Sequence, residues 1–143
     1  MGVLTDFVVA DKTDAKRVGD SMSPSQEFGG VDAMGILQVQ MGTLYAILTG
    51  HEYDPEFLTK EESFLYSASE EGPWVQLVPH DMVLRLARLT EAEVPGIAER
   101  WGRTEEFNNE WDSETLEWVI QDIAALSRTA LQEGKTVLMW TCL

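Results

Sequence analysis

The sequence predicts an α+β fold in a single small domain spanning residues 1–143: a short mixed sheet with several packed helices, including a long C-terminal helix followed by a buried terminal strand. Three observations carry this. Two β-prone apolar runs, Leu4–Ala10 and Thr136–Thr141, stand near the two ends of the chain. Between Glu114 and Gln132 the apolar residues recur at helical spacing. The chain has 143 residues with no visible linker or internal repeat, enough for one core without covalent staples.

Taken in order, Leu4–Ala10 reads as a strand around Phe7-Val8-Val9. Thr13–Met22 reads as a weak helix, with Ala15, Val18 and Met22 on one side. Ser23–Gly30 is rich in Ser, Gly and Pro and reads as a surface loop. In Val31–Gly50 the set Leu37, Met41, Leu44 and Leu48 points one helix face inward, and Gly50 suits the left-handed C-terminal position. His51–Glu62 is an acidic connection with a turn at Asp54-Pro55, and Phe64–Ser67 reads as either a strand or a turn of helix. Glu71-Gly72-Pro73 breaks the chain before a strand at Trp74–Val78, which Pro79 stops. His80 and Asp81 open a helix through Leu89; Thr90 and Glu93 form a capping pattern for the next, which reaches Trp101 with Pro95 in its first turns. Asp112 or Ser113 caps helix Glu114–Gln132, whose stripe is Leu116, Val119, Ile120, Ile123, Ser127, Ala130 and Leu131; Gly134 ends it.

The segment Leu37–Gly50, closing on Leu44-Tyr45-Ala46-Ile47-Leu48-Thr49-Gly50, and the tail from Gln132-Glu133-Gly134-Lys135 into a last apolar strand resemble the YfbM-like family of uncharacterised bacterial proteins. The opening Met1-Gly2 before a short strand agrees with that pattern. The resemblance implies a small α+β fold and a bacterial source, and carries over no activity or site residue. The chain departs from the family pattern in Gly42 and Thr43, where larger residues are usual, and in Tyr45, where histidine is common.

Charge is the strongest compositional signal. Ten Lys and Arg face 25 Asp and Glu, a net charge of −15. Residues 51–71 hold Glu52, Asp54, Glu56, Glu61, Glu62, Glu70 and Glu71 against Lys60 alone. Residues 104–122 hold Glu105, Glu106, Glu110, Asp112, Glu114, Glu117 and Asp122 with no base. Binding to nucleic acid or to an anionic membrane needs clustered Lys and Arg, so neither is expected. No secretory signal is visible at Met1–Asp6 and no apolar stretch is long enough to span a bilayer, so the expected compartment is the cytoplasm.

Chemical motifs are sparse. Gly19-Asp20-Ser21 resembles the nucleophile block of the GDSL hydrolases, but it follows a helix and lacks the downstream Asp-x-x-His. His51-Glu52-Tyr53-Asp54 offers clustered ligand types without the second histidine of a zinc helix or the glycine of a calcium loop. Cys142 is the sole cysteine, with uncharged neighbours, and no phosphate-binding glycine loop occurs. Hence no catalytic, cofactor or metal residue is assigned.

What remains is a surface. Glu105, Glu106 and Glu110 lie beside Trp111, and Trp118 falls opposite the apolar stripe of its helix. Carboxylates around an aromatic anchor suit contact with a basic protein; the plainer alternative is a solvated acidic loop and helix start. The sequence therefore points to a non-enzymatic protein that acts by binding a basic protein partner, one form being an immunity-type antitoxin. The alternative is a small enzyme or ligand-binding domain, which calls for a polar cleft around His51 or His80.

Overall fold

The two β-prone ends of the chain find each other. In the computed structural model, which describes residues 3–33, 35–107 and 110–143, strand β1 (Leu4–Ala10) pairs along its whole length with strand β5 (Thr136–Cys142). Both occupy the middle of a five-stranded sheet in the order β2-β1-β5-β4-β3, where β2 is Gly30–Asp32, β3 is Phe64–Ser67 and β4 is Trp74–Leu77. Central position explains their apolar runs, because a strand covered on both faces has no polar side to show. Every described pairing is antiparallel, so the sheet is not mixed. Hydrophobic patterning marks a strand without giving its direction; a tight hairpin such as β3–β4 forces an antiparallel pair, and routing of the chain through the helices sets the rest.

The described residues form six helices: α1 (Ala15–Gly19), α2 (Pro24–Glu27), α3 (Gln38–Thr49), α4 (His80–Ala87), α5 (Val94–Gly102) and α6 (Ser113–Glu133). One sheet face, carrying Phe7, Val9, Val137 and Met139, packs under helices α3 to α6. On the other face Val8, Ala10, Leu138 and Trp140 meet Ala15 and Val18 of α1 and the half-buried Phe28 and Tyr66. The architecture is thus α+β, with the larger core on the side of the long helices.

Local signals hold where they are strong. Asp112 caps α6, its Oδ1 accepting the Thr115 N–H at 2.7 Å, and Gly50 and Gly134 end α3 and α6 with left-handed φ of 76° and 67°. Pro95 sits in the first turn of α5, where no helical hydrogen bond is lost. Three local expectations change. The predicted Thr13–Met22 helix is a 3-10 turn (Lys12–Asp14) followed by the short α1, and Met22 is 97% exposed. The predicted loop 23–30 contains α2, and the apolar run from Val31 begins as an edge strand before α3. In α6 the buried residues are Leu116, Ile120, Ile123, Ala124, Leu126, Ser127 and Ala130, while Val119 is half-buried and Leu131 is 37% exposed. Leu131 keeps the helical spacing, four residues after the buried Ser127, but stands in the last turn of the helix, just before the Gly134 cap.

Candidate functional site

The acidic segment 104–122 is fastened from the inside by one buried amide. Gln40, in the first turn of α3, donates from Nε2 to the Glu106 carbonyl at 3.2 Å. Its Oε1 accepts the Leu37 N–H at 2.7 Å, and its carbonyl accepts the Trp101 indole N–H at 2.8 Å. Phe107 packs edge-on against Trp101 with ring centres 5.0 Å apart, and Trp111 meets Phe107 at 5.5 Å. A Cβ at Gly35 would lie 2.9 Å from the Trp111 ring, so only glycine allows that ring to settle there. Trp111 is therefore half-buried and forms a floor. The next residue, Asp112, starts α6; the N–H of Thr115 holds its carboxyl below the usual carboxylate range.

A groove of about 340 Å³ opens on this floor. One wall is α6, with Thr115, Trp118 and Asp122; the other is β2, with Val31 and Asp32. Trp118 is 58% exposed, beyond the buried row of its helix as its spacing predicts. On the far side of Trp111 a second concave surface of about 500 Å³ lies between α5 and α6, where Glu117 faces Glu99 and Arg103. The guanidinium of Arg103 is taken up by the Glu99 carboxylate.

The predicted binding residues separate into two sets. Trp111 and Trp118 line one groove, with the exposed Glu110 directly before Trp111. Glu105 and Glu106 stand on the 3-10 turn Glu105–Phe107 and are not among the groove's lining residues; Glu106 is half-buried. The β2 wall was missed, because a three-residue edge strand has no periodic signal. The helix wall was legible: Thr115, Trp118 and Asp122 are spaced three and four apart, one face of a helix.

The other sequence candidates find local roles. Ser21 donates to Glu27 Oε2 at 2.6 Å and accepts from the Ser23 N–H, within its own loop. Asp20 is engaged by Lys16 and by the Tyr66 hydroxyl at 2.7 Å. Among the described residues no group of three or more His, Cys, Asp or Glu converges as a metal site. A cleft of about 360 Å³ does lie at His80, bordered by Lys12, Tyr45, Asp54, Lys60 and Glu62. Three of its bordering groups are paired within the chain: Lys60 with Asp54 at 2.7 Å, and the Tyr45 hydroxyl donating to Asp81 at 2.6 Å. Burial, with help from that carboxylate, pushes the Tyr45 phenol up to about 12. It is held as a neutral donor, far from the near-neutral value that suits a general base. His51 stacks on the Tyr45 ring at 5.7 Å. Among the described residues no helix is long and apolar enough to cross a membrane.

No family model and no curated protein matches the chain. Among solved structures it is similar to YfbM, a protein of unknown function from Escherichia coli, with 16% identity and a TM-score of 0.45. The similarity covers 96% of this chain and 99% of that one. This is the family that Leu37–Gly50 and the tail resemble.

Proposed function

We propose that the protein acts by binding rather than catalysis, and that its partner is a basic protein segment seated in the groove between α6 and β2. The observation that carries this is Trp118, a large aromatic left 58% exposed on the rim of a groove floored by a second tryptophan. Tryptophan is among the side chains most enriched at the energetic centres of interfaces. The charge supports a basic occupant: residues 104–122 contain no Lys or Arg, and Asp32 and Asp122 line the groove. Opposite charge steers such a partner in and fixes its orientation, while the tryptophan supplies contact area. A bacterial, cytoplasmic, immunity-type protein that covers a basic toxin is one concrete form of this function.

The test is capture of the partner from native lysate, followed by titration of the purified pair at low and high salt. Affinity should fall as salt rises, and Trp118→Ala should weaken it at least tenfold with no loss of fold. Full affinity in the double charge variant Glu110→Lys, Asp122→Lys would sink the proposal.

A further inference from the structure

The cleft at His80 gathers free charges of both signs at one end of the sheet. Its volume of about 360 Å³ is ordinary for small-molecule sites, which run from about 300 to 1,000 Å³. Two of the chain's four lysines, Lys12 and Lys60, line it, in a protein of net charge −15. Lys60 is closed on Asp54 at 2.7 Å. Lys12 and Glu62 line the same cleft, both are exposed, and neither makes an ion pair among the described residues. The cleft therefore presents one unpaired ammonium and one unpaired carboxylate that do not close on each other.

Topology explains why they stay apart. Lys12 comes two residues after the end of β1, and Glu62 two residues before the start of β3. Ala10 pairs with Thr136, Leu77 with Leu138 and Phe64 with Gln76, so both residues leave the sheet at the same end. Strands β5 and β4 stand between β1 and β3. That is three strand spacings, about 14 Å. Lys12 thus approaches the cleft from one side and Glu62 from the other, and their side chains reduce the span to one that a small molecule can bridge. Between them the walls are apolar: Phe57, Leu77 and Pro79. Ser63 also lines the cleft; its N–H donates to the Lys60 carbonyl and its own carbonyl accepts the Leu77 N–H, so its place is fixed.

We propose that this cleft binds a small zwitterion, an α-amino acid with an apolar side chain, with its carboxylate toward Lys12 and its ammonium toward Glu62. The side chain packs on Phe57, Leu77 and Pro79. The preference follows from the charges. Lys12 and Lys60 balance Asp54 and Glu62, so a ligand of one sign meets as much repulsion as attraction, whereas a zwitterion answers both free charges at once. The apolar walls favour an aliphatic or aromatic side chain over a polar one.

The experiment uses the full chain and three probes built on one branched frame: L-leucine, 4-methylpentanoate, which lacks the ammonium, and 3-methylbutylamine, which lacks the carboxylate. Binding is read by calorimetric titration and as a rise in Tm. The expected result is saturable binding of leucine, at least fivefold tighter than either truncated probe. Lys12→Met and Glu62→Gln should each weaken leucine at least fivefold. Both positions are exposed, so the fold should be retained, which circular dichroism checks. Trp118→Ala should leave leucine binding unchanged, which separates this outcome from that of the acidic groove. The proposal is overturned if leucine does not saturate, if either truncated probe binds as tightly as leucine, or if either charge variant binds leucine as the parent does.

Discussion

In residues 51–71 the apolar side chains Phe57 and Leu58 turn into the core, and the segment's one base, Lys60, closes on Asp54 at 2.7 Å. In residues 104–122 Phe107 and Leu116 turn inward, but Trp118 stays out and no base is present to neutralise the carboxylates. The two segments carry almost the same charge and look alike in composition. They differ in degree in what accompanies the acids: Tyr53 and Phe64 of the first are 42% and 38% exposed, against 58% for Trp118 of the second. The first is a connection tied to its neighbours in the fold: Phe57 packs against Tyr45 of α3 with ring centres 4.7 Å apart, and the Leu58 carbonyl takes the Gln76 amide of β4. The second is fastened by Gln40 and Phe107 beneath and displays an aromatic on top. Net charge alone does not make an interaction surface; an unsatisfied apolar group among the charges does.

The comparison can be broken at its anchors. Leu58→Ala and Phe107→Ala each empty a fully buried position, and each should cost about 2–5 kcal/mol in urea unfolding. Near-equal losses would show that both segments are integral to the core; a small loss for either would mean that segment is held only by its ends. A smaller effect sharpens the functional half. Glu61→Lys with Glu62→Lys in the first segment should leave affinity for a basic partner nearly unchanged, whereas Glu110→Lys with Asp122→Lys in the second should lower it about tenfold at low salt. Equal losses would mean that total charge, not the groove, governs binding. The smallest effect tests the paired character of the first region. Tyr45 titrates at about 12, above its ordinary value near 10, because burial and the hydrogen bond to Asp81 favour the neutral phenol. The folded state holds this proton more tightly than the unfolded state. The resulting stability is full below about pH 10 and is lost as pH rises toward 12. Ultraviolet titration of Tyr45→Phe should therefore lack the highest phenol step, and its stability should fall less steeply over that interval.

Much of the fold was legible locally. The strand at Leu4–Ala10 needed only its apolar run, and α6 needed only its period, the Asp112 cap and the Gly134 stop; its ends differ from expectation by one residue each. Trp118 was placed outside the core by spacing alone. Less could be read of the site. Trp111 looked like a free anchor, yet it is half-buried, against Phe107 four residues before it and against Gly35 far away in sequence. Glu105 and Glu106 looked like its rim because they are near in sequence, but the Gln40 amide draws the Glu106 backbone down onto α3.

By itself, then, the sequence determined strands β1, β4 and β5 and helices α4 to α6, where α3 and α6 stop, and where the negative charge concentrates. These follow from period, capping and composition, which act within a few residues. Tertiary structure alone decided the antiparallel sheet order, the pairing of β2 with β1 beside α6, and the concavities that result. Each depends on groups brought together from distant parts of the chain, and burial there fixes hydrogen bonds and cavities that no local pattern encodes.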